Sequence, residues 1–176
     1  MGETIFEAIP RAVWNAHKAH LSGQPDAAFG VVSARPLSAD ATRALESSAR
    51  KLGFGERPCF FCTLRAQERG GEAVSHDEGA AQTKDGANGE VGTGAAAEPL
   101  DAATLFEAIE GLDPIVLVAA DSEAARALSE AYRVEVAPMA RSRVFGRTTV
   151  AFRSFEAMLS DPQDKQIAWA LLKQLV

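Results

Sequence analysis

A chain of 176 residues with 47% apolar content is long enough to bury a sizeable core, and one α/β domain over 1–176 is expected. Its net charge of −6 and pI near 5.1 argue against strong non-specific attachment to nucleic acid or to an anionic membrane surface. No apolar run reaches membrane-spanning length, no secretory leader pattern opens the chain, and two cysteines suit a reducing compartment, so a cytoplasmic protein is expected.

In chain order, Thr4 and Glu7 fit a capping box that opens a helix with Ile5, Ile9, Val13 and His17 on one stripe. Pro10 either kinks this helix or starts it. His17 and His20 lie i, i+3 without a carboxylate or cysteine partner nearby, which predicts a solvated helix end; no metal site and no cofactor are expected. Ala27–Ala34 reads as the first strand. Ser38 then caps a helix carrying Ala41, Leu45, Ala49 and Leu52, with Gly53 as its stop. Cys59–Leu64 (CFFCTL) reads as a second buried strand. Residues three apart on a strand point to opposite faces, so Cys59 and Cys62 are expected to be two inert buried thiols rather than a metal or redox pair.

The composition changes abruptly over 66–99, where seven glycines accompany many Ala and acidic residues. With little to bury, this stretch is expected to be a disordered or mobile insertion. It also holds much of the charge: residues 65–99 carry three Lys/Arg against seven Asp/Glu.

Leu100–Tyr132 is the most informative segment, reading helix, turn, buried strand, helix. Gly111 and Asp113–Pro114 are expected to stop the first helix, Ile115–Ala120 (IVLVAA) is the continuous apolar run of a central strand, and Asp121–Ser122 caps the second helix. Val134–Ala137 is then expected as a short strand and Thr148–Phe152 as the last one. Asp161–Pro162 opens the closing helix, with Ile167, Leu171, Leu172 and Leu175 toward the core. Short strand–helix alternation of this kind predicts a three-layer α/β/α fold with a mostly parallel sheet of about four strands.

Ligands of open parallel sheets bind beyond the carboxyl ends of the strands. That rule selects Ser33 and Arg35 after the first strand, Thr63 and Arg65 after the second, Asp121 after the third, and Arg153 and Ser154 after the last, with the strand expected to end at Phe152. Arg147 joins them from the arginine-rich stretch RSRVFGRTTVAFR, which also holds Arg141 and Arg143. Together they would form a polar, basic pocket for an anionic or nucleotide-like molecule. Asp121 is the single carboxylate placed at these ends, hence the one weak catalytic candidate. No Ser/His/Asp or Cys/His constellation emerges, because His17 and His20 belong to the first helix and His76 to the insertion.

Three segments, LGFGERPCFFCTL, LFEAIEGLDPIVLVAADSEAARAL and FEAMLSDPQDKQIAWALLKQL, together resemble the uracil-DNA glycosylase-like superfamily, in particular its bacterial iron–sulfur members. The resemblance covers about two-thirds of the chain through apolar patterning and a few anchors, and it implies a uracil-DNA glycosylase-like fold. The family's chemical groups do not carry over. Its motif His falls at Ser154 and the following Pro at Phe155; its uracil-reading Asn falls near Leu64; and Ser33-Ala34-Arg35-Pro36 stands where its water-activating glycine turn would be. Two cysteines cannot ligate a cluster that needs four. The expectation is therefore a non-catalytic relative that holds a small anionic ligand or a protein partner, with nucleic acid disfavoured by the acidic charge and no membrane. The alternative is a divergent DNA glycosylase or other nucleic-acid hydrolase acting on uracil-containing or damaged DNA.

Overall fold

A computed structural model describes residues 5–65 and 99–176, and for residues 5–8 the backbone alone. The insertion expected over 66–99 therefore lies, apart from Pro99, outside the described residues, as does Thr4 of the capping box. Among the described residues the α-helices and strands follow in order: α1 (Ile5–Ala16), β1 (Leu21–Gly23), β2 (Phe29–Ser33), α2 (Ala39–Lys51), β3 (Cys59–Thr63), α3 (Ala102–Leu112), β4 (Val116–Ala119), α4 (Ser122–Tyr132), β5 (Ala140–Val144), β6 (Arg147–Ala151), α5 (Phe155–Met158) and α6 (Pro162–Leu172).

The strands form one six-stranded sheet in the order β1-β3-β2-β4-β6-β5. Its four inner strands, β3, β2, β4 and β6, are mutually parallel, and β1 and β5 close the two edges antiparallel. The fold is thus α/β with a mostly parallel sheet, as the alternating pattern predicts, and the two additional strands are both edges. β5 escapes sequence reading because RSRV carries little apolar signal; Val134–Ala137, expected as a strand, is instead irregular chain between α4 and β5. β5 exists because Phe145-Gly146, both at positive φ (48° and 84°), reverse the chain in a two-residue hairpin that lays it along β6.

Every residue of β2, β3 and β4 is buried. Helices cover both faces of the sheet. Leu105, Ile109 and Leu112 of α3 pack with Leu128 and Tyr132 of α4 on one side, joined by Val13 and Trp14 of α1. Leu45 of α2, Phe155 of α5 and Leu171 and Leu172 of α6 pack on the other. Cys62 belongs to the first cluster and Cys59 to the second, so the two thiols do face opposite ways. Burial pushes both up to about 12, which keeps them protonated and unreactive.

Caps fall where the residue types ask for them. Ser38, Asp101, Asp121 and Asp161 each accept a backbone N–H from the first turn of the helix they precede, and Pro162 occupies the opening position of α6. Gly53 takes φ 94° just past α2, ending it as expected. Other expectations need correction. Of the two alternatives for Pro10, the start of the helix is excluded, because α1 runs through it from Ile5 to Ala16. Gly111 lies inside α3; its role is clearance, since a Cβ there would stand 2.4 Å from Val13 Cγ2 of α1. Ile167, expected toward the core, is 44% exposed, and Ile9 of the α1 stripe is 51% exposed. In α6 the buried positions are Ala168, Leu171 and Leu172, which leaves Ile167 on the flank. Ile115 is likewise exposed, as the residue before β4 begins.

Candidate functional site

The chain leaves β2 for β3 by way of α2 on one face of the sheet, and leaves β4 for β6 by way of α4 on the other. β2 and β4 are adjacent. Connections that depart in opposite directions from neighbouring parallel strands leave a crevice between the loops at their carboxyl ends, where ligands of doubly wound sheets bind. A cleft of about 400 Å³ lies there, lined by Ala34–Leu37 after β2, Ala120–Glu123 after β4, and Arg153, Ser154 and Glu156 after β6.

Four links lace its walls together. Asp121 follows β4 and caps α4, accepting the Ala124 amide at 2.8 Å on Oδ1, while Oδ2 accepts the Ala34 amide just after β2, also at 2.8 Å. The Ser122 amide donates to the Arg153 carbonyl at 3.1 Å, and Asp121 and Ser154 pair as an isolated antiparallel bridge. Glu156 Oε1 accepts the Ser38 amide, fastening α5 to the start of α2. The loops after β2, β4 and β6 are therefore one hydrogen-bonded frame.

Of the residues selected from sequence, Arg35, Asp121, Arg153 and Ser154 line this cleft. β6 ends at Ala151, one residue earlier than expected, and Phe152 and Phe155 plug the core with rings 5.1 Å apart. Arg153 is exposed between them and Ser154 caps α5. Arg65 does not line the cleft but pairs with one of its lining residues, its guanidinium 2.9 Å from Glu123 Oε1. Ser33 and Thr63 do not reach the cleft. Both are buried, Ser33 Oγ donating to the Arg35 carbonyl at 2.7 Å and Thr63 Oγ1 to the His20 carbonyl at 3.3 Å.

Arg147 belongs to the opposite end of the sheet, because it begins β6 rather than ending it. Its guanidinium is bound by Glu110 through both carboxylate oxygens, by Asp113 Oδ1 at 2.8 Å and by the Pro114 carbonyl at 2.8 Å. Tyr132 donates to the same Glu110 at 2.7 Å. This is a clamp joining α3, α4 and β6. Burial and the bond to Glu110 raise the Tyr132 phenol above its ordinary range. The histidine expectation also changes. His20 is 8% exposed, with Nδ1 2.9 Å from the Thr63 carbonyl, and ties the edge strand β1 to the end of β3 rather than meeting solvent.

Electrostatically, three carboxylates and two guanidiniums face the cleft, yet their availability is reversed. Asp121 is held by two amides, Glu156 by one and Glu123 by Arg65. Among the described residues, neither the Arg35 nor the Arg153 side chain has an ion pair or hydrogen bond. Glu156, Glu123 and the β5 strand are the features sequence reasoning missed. The first could have been suspected from its place two residues after Ser154. Among the described residues no group of three or more His, Cys, Asp or Glu stands ready for a metal ion, and no helix is long and apolar enough to cross a membrane. The sequence matches no protein-family model and no curated protein.

Proposed function

We propose that this chain is a binding protein, built on a doubly wound α/β scaffold of the uracil-DNA glycosylase-like kind, that takes a small anionic or nucleotide-like ligand in the switch-point cleft without cleaving it. The observation that carries this reading is the pair of guanidiniums, Arg35 and Arg153, uncommitted among the described residues and brought from two different loops to one cleft whose lining carboxylates are all engaged. Guanidiniums held apart on a fixed frame suit a phosphate or carboxylate group, which accepts several charge-assisted hydrogen bonds at once. The glycosylase alternative needs a free carboxylate or amide to activate water and a histidine-like group to stabilise the departing base. Asp121 is the carboxylate in position, and both its oxygens are occupied by backbone amides. Neither described histidine lines the cleft.

Calorimetric titration with inorganic phosphate, pyrophosphate and nucleoside monophosphates tests the binding reading, alongside excision assays on uracil-containing single- and double-stranded oligonucleotides. Arg153→Ala and Arg35→Ala should each weaken the bound anion by about 1.5–3 kcal/mol, the range for a charge-assisted hydrogen bond. Base release that disappears in Asp121→Ala would replace this reading with the enzymatic one.

A further inference from the structure

A second concavity, of about 350 Å³, lies on the α2/α6 face and is not part of the cleft. Its α2 wall is Ala44, Ser47, Ser48 and Lys51, and its α6 wall is Lys165, Ala168, Trp169 and Leu172. Each set follows the spacing i, i+3, i+4, i+7, so each helix offers one complete two-turn stripe, about 10 Å long, to the gap between them. Phe155 and Leu159 complete the lining. One wall is small and the other aromatic and aliphatic, which leaves room for side chains entering from outside.

The charges are placed as simply. Lys165 opens the α6 stripe and Lys51 closes the α2 stripe. Both helices lead away from the strand ends that carry the cleft, so the lysines stand at opposite ends of the groove. Both are exposed, and neither has an ion pair among the described residues. Among the described residues no acidic side chain lines the groove. In a chain of net charge −6, an acid-free apolar groove with a free ammonium at each end is a local reversal of the overall sign.

We infer that this groove docks an acidic amphipathic helix from a partner protein, its apolar side chains against Trp169, Leu172 and Phe155 and a carboxylate at each end of its apolar stripe meeting Lys165 and Lys51. This is the helix-in-groove mode of recognition, in which spaced apolar anchors supply affinity and flanking charges set orientation. It is independent of the anion cleft. An alkyl carboxylate satisfies only one of the two lysines, and a basic helix meets repulsion at both.

The test uses the full chain and a fluorescein-labelled synthetic helical peptide with a leucine stripe bracketed by two glutamates two turns apart. Fluorescence anisotropy should report saturable binding that weakens with salt. Lys51→Glu and Lys165→Glu should each weaken it by about fivefold or more, through loss of an ion pair and gain of like-charge repulsion. Ser47→Trp, which plugs the groove from its small wall, should abolish it, and circular dichroism should show all three variants folded. A peptide with lysines in place of the glutamates should not bind. The inference is overturned if the acidic peptide fails to bind, if binding survives the plug, or if charge reversal of both protein lysines leaves it unchanged. Binding of dodecanoate with the same sensitivity to the plug, in place of the peptide, would overturn it in favour of a lipid-like ligand. Plug-sensitive self-association in sedimentation would overturn it in favour of a second copy of the chain.

Discussion

Asp121 offers the sharpest separation of a structural role from a catalytic one. Its carboxylate caps α4 through the Ala124 amide and crosses to the buried Ala34 amide just after β2, both at 2.8 Å. Removing an N-cap acceptor costs about 1 kcal/mol, and leaving a buried amide unsatisfied costs about 1–3 kcal/mol. Asp121→Ala should therefore destabilise by about 2–4 kcal/mol. Asp121→Ser keeps a competent cap but cannot span to Ala34, so it should recover about 1 kcal/mol of that loss. Urea unfolding followed by circular dichroism measures both, with unchanged slope showing that the folded and unfolded states keep their compactness. In thermal unfolding the alanine variant should melt about 5–15 °C lower, given roughly 2–4 °C per kcal/mol for chains of this size. A carboxylate kept for chemistry is commonly a burden on stability, and its removal tends to stabilise. An Asp121→Ala protein as stable as the parent, or more so, would refute the reading of this residue as frame.

Arg147→Ala should be the costliest of the arginine substitutions, about 3 kcal/mol or more in urea unfolding, because it strands Glu110 and frees the Pro114 carbonyl in a largely buried clamp. Gly30→Ala should destabilise by about 1–3 kcal/mol through overpacking, since the new Cβ would stand 2.7 Å from Phe60 Cζ and 2.9 Å from Leu117 Cδ2. Stability should also fall in alkali. Cys59 and Cys62 titrate near 12 in the folded state against about 9 in the ordinary thiol, so above pH 9 the unfolded chain releases protons that the folded chain retains. Their contribution is fully present below pH 9 and is lost toward pH 12, at up to about 1.4 kcal/mol per thiol per pH unit. A pH series of urea midpoints on the parent and on a Cys59→Ala/Cys62→Ala variant checks this, and the variant's decline should be shallower.

The parts of the fold legible in the sequence are those where one physical signal dominates. β2, β3 and β4 are uninterrupted apolar runs because both faces of the sheet are covered. Ser38, Asp121 and Asp161 announce helix starts because their short polar side chains can satisfy first-turn amides. Elements whose stability comes from the tertiary context are silent. β5 is held by its hairpin and by pairing to β6, with alternate residues exposed, so RSRV carries no periodicity worth the name. Gly111 looks like a helix stop in sequence, but its missing side chain is used by Val13 from another helix. His20 reads as solvated because nothing local predicts that the Thr63 carbonyl, forty-three residues onward, will close over it.

The arginines of the stretch 141–153 show most plainly how geometry assigns function to residues that composition cannot distinguish. Arg141 and Arg143 alternate with Ser142 on an edge strand, so they lie exposed beside β6 and keep that edge charged, a placement that discourages further strand pairing. Arg147 opens β6 at the amino end of the parallel strands, where Glu110, Asp113 and the Pro114 carbonyl surround it; its charge is consumed in holding α3 to the sheet. Arg153 stands six residues further, a strand's length away, and so emerges at the opposite end of the sheet. There Asp121 is already spent on amides and Glu123 on Arg65, and no described residue pairs with it. A parallel sheet thus sorts one basic run into edge protection, structural clamp and open cation. If Arg153 is a ligand group in that last sense, exchanging roles should be impossible: Arg153→Lys should retain part of the anion affinity through its charge, while Arg147→Lys should lose stability almost as severely as alanine does, because an ammonium cannot span two carboxylates and a carbonyl with a fixed fork. Equal stability losses for the two lysine variants would mean that Arg153, too, is held by the fold rather than offered to a ligand.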